Sequence, residues 1–287
     1  MDIFKQLTNL LKLRIGVIMM LTALVAMVVT PGQALDGVQI LVLCFAVLIS
    51  AGSAGAFNQY FEVDLDSVMK RTKDRPFVTG SFNKNPLWIL FILALLGAGV
   101  GSAALYLNNE AALYIFLGAF FYAIIYTVLL KRRTWMNIVI GGASGSFAVL
   151  AGAAAVDPQL SAIPILLALV LFFWTPSHFW SLAIAKHEDY AKAGVPMLPV
   201  VIGDKRTAVV VLGNTLILVG VSVLPFFYGL SWLYLAGAVS GGGYFIYQNI
   251  KMIQQPTPKA AMKSFFASLV QLVFLLIGAV LDVVLLA

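Results

Sequence analysis

Apolar residues in this chain neither alternate nor recur every third or fourth position; they run on in long blocks that short polar stretches interrupt. Crossing the hydrocarbon of a bilayer as a helix takes roughly 20 apolar residues. Nine stretches meet or approach that length: 15–30, 38–57, 87–107, 111–130, 137–156, 161–185, 207–228, 230–248 and 264–286. The pattern predicts an all-α protein, a polytopic membrane bundle of nine transmembrane helices forming one domain over residues 1–287, with the first span the shortest. Two interruptions are long and chemically varied, 58–86 and 186–206. They follow the second and sixth spans, four helices apart, which suggests a duplicated four-helix unit plus a closing helix. Connections on the other side, such as 108–110 and 157–161, have the length of simple turns, so chemistry is expected only at the end that carries the two long loops. Small residues stripe several spans, as in AGSAGA at 51–56 and GGASGSF at 141–147. They predict close helix packing and, as a second effect, glycine-lined room for a long ligand inside the bundle.

Composition agrees with that reading. Hydrophobic residues make up 61% of the chain and charged residues 10%, and the mean hydropathy is +0.98, which excludes an ordinary soluble domain. The eighteen Lys and Arg residues then orient the bundle. Three precede the first span, five lie between spans two and three, three between four and five, four between six and seven, and three between eight and nine; the opposite loops carry none. The positive-inside rule places the amino terminus and the long loops in the cytoplasm and the carboxyl terminus outside. A net charge of +6 is thus a topology signal with some attraction to anionic membrane lipid, and no nucleic-acid partner is expected. Cys44 is the sole cysteine, so neither a disulfide nor a thiolate metal site forms within the chain. No cleavable leader is expected, because Lys5, Lys12 and Arg14 precede a hydrophobic segment without a small-residue cleavage site.

Acidic side chains concentrate where the second span meets its loop. Residues 58–76, NQYFEVDLDSVMKRTKDRP, hold four of the twelve acids and four of the eighteen bases. One carboxylate at mid-bilayer costs about 3 kcal/mol on insertion scales, so a group of them at a membrane boundary calls for a cavity, water and a divalent ion. If the second helix continues past Phe57, Asn58, Glu62 and Asp66 follow one another at i, i+4 and share a face. Asp64 points elsewhere unless the helix unwinds near Val63. Oxygen ligands of this kind suit Mg²⁺, which commonly bridges carboxylates to phosphate oxygens. Arg71, Lys73 and Arg75 stand close enough in sequence to complement a pyrophosphate. The plainer account is a solvated helix end with salt bridges to Lys70 and Arg71.

The pattern N-xxx-E-x-D-x-D-xx-M-x-RT-xx-RP over residues 58–76 resembles the first signature of the intramembrane UbiA-type prenyltransferases, in their protohaem IX farnesyltransferase branch. Two further blocks are similar to that family, YTVLLKRRTWMNIVIGG at 126–142 and WTPSHFWSLAIAKHEDYAKAGVPMLPVVIG at 174–203. The resemblance implies the UbiA-type fold and transfer of a farnesyl group from farnesyl diphosphate to a vinyl group of haem b, giving haem O. It implies one or two Mg²⁺ ions held by Asn58, Glu62, Asp64 and Asp66, with Asp189 on the second loop. Arg71, Arg75 and Lys186 are then diphosphate ligands, and the catalytic set is Asn58, Glu62, Asp64, Asp66 and His178. His178 follows Pro176 in the inner half of the sixth span, where it positions the porphyrin, helps deprotonate water, or hydrogen-bonds a neighbouring helix. Trp174, Trp180, Arg132 and Arg133 are candidates to contact haem, the tryptophans by stacking and the arginines at the propionates.

Two departures from the family pattern matter. Glu62 stands where the family more often has aspartate, and the stretch that carries a second DxxxD-like motif in quinone-pathway relatives reads Lys186, His187, Glu188, Asp189 here. An aromatic quinone precursor as acceptor is the alternative enzyme reading, and a non-catalytic haem-binding transporter the alternative class. The resemblance further implies a bacterial or archaeal plasma membrane, the inner membrane of the cell, with haem A synthase or terminal oxidase assembly as partner for the product.

Overall fold

The computed structural model describes residues 3–286 and, among them, contains helices and no strands. A short amphipathic helix, α1 (Ile3–Leu10), meets α2 (Leu13–Val29) at a bend of 51°. Helix α3 (Gly37–Phe61) follows, then the short α4 (Val63–Val68), α5 (Leu87–Tyr106) and α6 (Asn109–Phe120). Without a break, α6 widens into π-helix over Phe121–Leu130. The next span is divided into α7 (Asn137–Gly141) and α8 (Ala143–Ala154); α9 (Ala162–Ala185) ends at the second long loop, which holds the short helices α10 (His187–Lys192) and α11 (Leu198–Ile202). Helix α12 (Asp204–Val223) closes as 3₁₀ turns over Leu224–Tyr228, and α13 (Trp232–Gln254) and α14 (Pro258–Leu286) complete the chain.

Among the described residues, seven helices are long and apolar enough to cross a membrane, and eight if α1 and α2 together make one bent span. The expected count of nine is not reached on that measure. Helix α13 has the length, 23 residues, but carries Ser240, Gln248, Asn249 and Lys251, which lower its hydropathy. Its fully buried Asn249 has partners inside the bundle. Asn249 Nδ2 donates to Thr215 Oγ1 of α12 at 2.8 Å, and its Oδ1 accepts from Ser264 Oγ of α14 at 2.5 Å. Hydrogen bonds of this kind join helices that gain no hydrophobic advantage from meeting each other in lipid.

Helices α2, α3, α5, α6 and α8 pack as one group and α9, α12, α13 and α14 as another; α8 against α9 and α2 against α14 join them. The outer surface is apolar, as at Leu41, Leu87 and Leu105, which suits a lipid solvent. Many of the striped small residues serve helix contact rather than ligand volume. A Cβ on Gly152 would collide with the Ala23 carbonyl of α2, and one on Gly237 would lie 2.5 Å from the Phe274 carbonyl of α14. Asp282 caps α13: its carboxylate accepts from the Ser231 and Tyr234 amides and the Ser231 hydroxyl at 2.7–3.0 Å. These donors are the orphan groups of a helix start, and in an apolar setting they need a built-in acceptor.

Candidate active site

Helix α3 does not stop cleanly at its inner end. Glu62 departs from helical geometry (φ −99°, ψ 23°), yet its amide still bonds to Asn58 O (3.0 Å) and its carbonyl accepts from Asp66 N (2.8 Å). The turn is kept through a bend, so the i, i+4 spacing holds. Asn58, Glu62 and Asp66 are all nearly or fully buried, while Asp64 is turned outward.

Each of these four side chains meets a cation or donor brought from elsewhere in the chain. Asn58 Oδ1 accepts from Lys12 Nζ at 2.6 Å, and Asn58 Nδ2 donates to Thr127 Oγ1 at 3.0 Å. Lys12 Nζ also donates to the Tyr122 hydroxyl at 2.8 Å. Glu62 Oε2 accepts from Lys131 Nζ, whereas Glu62 Oε1 is buried with no partner. Asp66 Oδ2 accepts from Arg75 Nη1 at 2.5 Å, across a turn that the Thr72 hydroxyl also ties to the Asp66 carbonyl. Lys12 lies within electrostatic reach of Glu62, Asp66, Lys131 and Arg75 together, and Tyr122 within reach of Glu62, Asp66, Arg71 and Arg75. The cluster is therefore one site.

The π-helical segment explains how α6 contributes to it. A wider turn aligns residues five apart: Thr127 Oγ1 donates to Tyr122 O, and Lys131 N to Tyr126 O. Tyr122 and Tyr126, four apart, stack with ring centroids 5.6 Å apart, and the Tyr122 hydroxyl meets Lys12. Beyond the span, burial lowers the Lys131 ammonium's pKa, and neighbouring Glu62 works against that shift. Burial raises the Tyr190 hydroxyl on α10, and the nearby Arg71 charge works against that shift. Arg71 of the first long loop thus lies close to the second.

The expected five-residue metal set does not assemble. Among the described residues no three His, Cys, Asp or Glu side chains converge to hold a metal. Asp64 is the clearest departure: beyond the bend at Glu62 it faces solvent and forms a two-pronged salt bridge with Arg132 at 2.7 Å and 2.7 Å. The Arg132 hydrogen bond holds its carboxyl below the usual range. Asp189 is half-buried on α10, and Lys186 is exposed at the end of α9.

The expected haem contacts divide in the same way. His178 Nδ1 is 2.7 Å from Ser268 Oγ of α14, and its ring stacks between Trp174 and Phe265, each 4.2 Å away. Trp174 Nε1 donates to Ser268 O at 2.8 Å. Of the three alternatives for His178, the hydrogen bond to a neighbouring helix is present. Trp180 differs: it is buried against Trp135, and its Nε1 has no partner. Arg133 is exposed and donates to Leu129 O.

Sequence reasoning did not assign Lys12, Tyr122, Tyr126, Thr127 or Tyr190 to the site, and it treated Lys131 chiefly as a topology determinant. Lys12 and Lys131 look like ordinary positive-inside anchors, and π-helical register leaves no mark in hydropathy.

The donors nonetheless fit Mg²⁺. That ion takes one or two carboxylates and fills its shell with water and phosphate oxygens, and Glu62 Oε1 is a buried acceptor without a donor, costly unless something binds it. Buried acids, ammonium groups and guanidiniums thus gather at one mouth of a lipid-facing bundle, a candidate site for an anionic ligand.

Comparison with solved structures gives the same scaffold. A structure of digeranylgeranylglyceryl phosphate synthase superposes with a TM-score of 0.82 at 18% identity, covering 99% of each chain. A UbiA homologue from Archaeoglobus fulgidus, bound to GPP and Mg²⁺, superposes with a TM-score of 0.72 at 15% identity over 94% of this chain and 99% of that one. At the sequence level, residues 19–274 match the UbiA prenyltransferase family. The chain belongs to that family and is a membrane-embedded prenyltransferase. Two relatives from Paramagnetospirillum magneticum, called protoheme IX farnesyltransferase 2 and 1, are 54% and 45% identical; each alignment covers 97% of this chain and at least 96% of the relative. A protoheme IX farnesyltransferase from Alkalilimnicola ehrlichii is 41% identical over 96% of this chain and 91% of its own length.

Proposed function

We propose that this protein transfers the farnesyl group of farnesyl diphosphate to a vinyl group of protohaem, producing haem O. The allylic C–O bond breaks and its electrons leave with the diphosphate. The freed allylic carbon then bonds to one vinyl carbon while water, losing a proton, adds to the other. The observation that carries the reading is the buried Glu62 carboxylate, with one oxygen on Lys131 and the other unpartnered, in a chain 54% identical over nearly its whole length to a protoheme IX farnesyltransferase.

Glu62 and Asp66, with Asn58 as a neutral oxygen donor, are the residues that would hold Mg²⁺. Bound there, the ion supplies charge neutralisation for the departing diphosphate. Arg75, Arg71 and Lys131 flank the same acids and would bind its oxygens; Lys186 would approach from the second loop. Two unit charges 4 Å apart attract by about 4 kcal/mol at an effective dielectric of 20, against about 1 in water. Burial of the acids is therefore what gives these contacts their strength. Trp180, whose indole N–H is free, and Arg133 are the haem-facing candidates we retain. Asp64 and Arg132 form a largely exposed pair at the mouth, and Trp174 with His178 joins α9 to α14.

Two observations bear on the other readings. The relatives named above are protohaem farnesyltransferases, which tells against a quinone precursor as acceptor. Asp282, an acid within a span, is fully engaged in capping α13, which leaves no mid-membrane acid for a transport cycle. We further propose nine membrane crossings, with α13 as the ninth, in the plasma membrane of the cell; the basic loops place the amino terminus inside and the carboxyl terminus outside.

The test is direct. Purified protein incubated with protohaem, farnesyl diphosphate and Mg²⁺ yields farnesylated hydroxyethyl haem by mass spectrometry, and Asp66→Ala abolishes the product while remaining inserted and monodisperse. Absence of the product with active preparations of both substrates, or near-normal turnover by the variant, refutes the assignment.

A further inference from the structure

Lys12 is a basic residue outside both long loops that nonetheless reaches the acid cluster, and its surroundings set it apart from a membrane anchor. An anchoring lysine stretches towards the head groups. Lys12 turns inward, with two of its three ammonium donors on Asn58 Oδ1 and the Tyr122 hydroxyl. Its backbone adopts a left-handed conformation, φ 47° and ψ 42°, which is unfavourable for a residue with a Cβ. The surrounding turn enforces it: Lys12 N bonds to Asn9 O at 3.1 Å, and Gln59 of α3 clamps the same turn through Asn9 O at 2.7 Å. Strain that the fold holds in place at a site is a pointer to function.

The lysine stem also runs in a lane cleared for it. A Cβ on Gly55 of α3 would lie 3.3 Å from Lys12 Cβ, Cγ and Cδ. The lane leads to Asn58, one turn further along the same helix. Near its end stand Glu62, Asp66, Lys131 and Arg75.

We propose that Lys12 stands in for the metal on Asn58 and passes its ammonium to the diphosphate when the metal and the diphosphate arrive. The inference rests on the function proposed above and adds a residue and a coupling to it. A divalent ion held by Glu62, Asp66 and Asn58 repels the ammonium from Asn58 Oδ1, and a diphosphate attracts it. A four-carbon stem lets the ammonium move between the two without a backbone change. Metal alone must therefore displace a bound cation and binds weakly. Metal together with diphosphate gives that cation a better partner, so each ligand strengthens the other, as linkage requires.

The experiment uses the full-length protein in detergent, with Mn²⁺ followed by electron paramagnetic resonance and inorganic pyrophosphate as the second ligand. In the unsubstituted protein, pyrophosphate tightens Mn²⁺ binding by about tenfold or more, within the usual range of coupling. In Lys12→Met, Mn²⁺ alone binds about tenfold tighter, and most of the tightening by pyrophosphate is lost. Lys12→Arg keeps part of the coupling. Gly55→Ala, which crowds the stem and leaves the charge in place, shifts both quantities in the same direction as Lys12→Met by a smaller factor; it carries the test if Lys12→Met does not fold. A structural lesion would weaken both ligands together. Unchanged or weaker Mn²⁺ binding in a folded Lys12→Met or Gly55→Ala overturns the role of Lys12 and leaves the proposed function standing. Failure of the unsubstituted protein to bind Mn²⁺ and pyrophosphate at all overturns both.

Discussion

Removing Lys131 alone should damage the protein more than removing Lys131 and Glu62 together. Glu62 is fully buried, and the Lys131 side chain is 11% exposed. Deleting one member of a buried ion pair leaves an uncompensated charge and costs about 3–5 kcal/mol, whereas replacing both by apolar groups of similar volume is often neutral or stabilising. Lys131→Met strands the Glu62 carboxylate, whose second oxygen already lacks a partner. Lys12 and Arg75 lie nearby, but their ammonium and guanidinium groups are engaged by Asn58 and Asp66, so their compensation is partial and the lower end, about 3 kcal/mol, applies. Glu62→Met with Lys131→Met removes both charges, and the double variant should recover to within about 1 kcal/mol of the parent protein. Equilibrium unfolding in mixed detergent micelles, run as a double-mutant cycle, gives the coupling. Turnover separates fold from chemistry, since the double variant should be stable and inactive. Additive single effects, within the roughly 0.5 kcal/mol expected of independent sites, would refute the reasoning, as would an active double variant.

Other outcomes follow from particular contacts. Gly152→Ala places a methyl group against the Ala23 carbonyl of α2; backbone cannot yield as a side chain can, so loss of about 1–3 kcal/mol or more should appear as a lower thermal midpoint and poor monodispersity. Asp282→Ala leaves the Ser231 and Tyr234 amides without their acceptor and should cost about 1–2 kcal/mol, with turnover per folded molecule unchanged because the cap lies at the helix ends opposite the acids. Asp64→Asn breaks a pair that is largely exposed, so stability should change by less than about 1 kcal/mol, measured as thermal midpoint; a larger loss would show that this pair holds the mouth together. Exhaustive chelation should stop turnover and adding Mg²⁺ back should restore it, whereas undiminished activity would remove the ion from the scheme.

The membrane environment explains how much was legible without coordinates. Hydropathy and the one-sided placement of eighteen basic residues respond to bilayer thickness and to the asymmetry of insertion, which act along the chain itself. The helices therefore stand close to where the apolar runs place them, and Asn58, Glu62 and Asp66 keep the shared face that their spacing foretold. Tertiary structure decided which cation meets which acid. Lys12 finds Asn58 from 46 residues away and Lys131 finds Glu62 from 69, and no local pattern encodes a meeting across helices. It also decided that Asp64 turns out of the cluster, because a bend at Glu62 redirects the chain, and that the Tyr122 hydroxyl joins the cluster through Lys12. Burial of charge is a property of the assembled bundle: the same lysines that a linear reading assigns to the membrane surface become internal counter-ions once neighbouring helices exclude water from them.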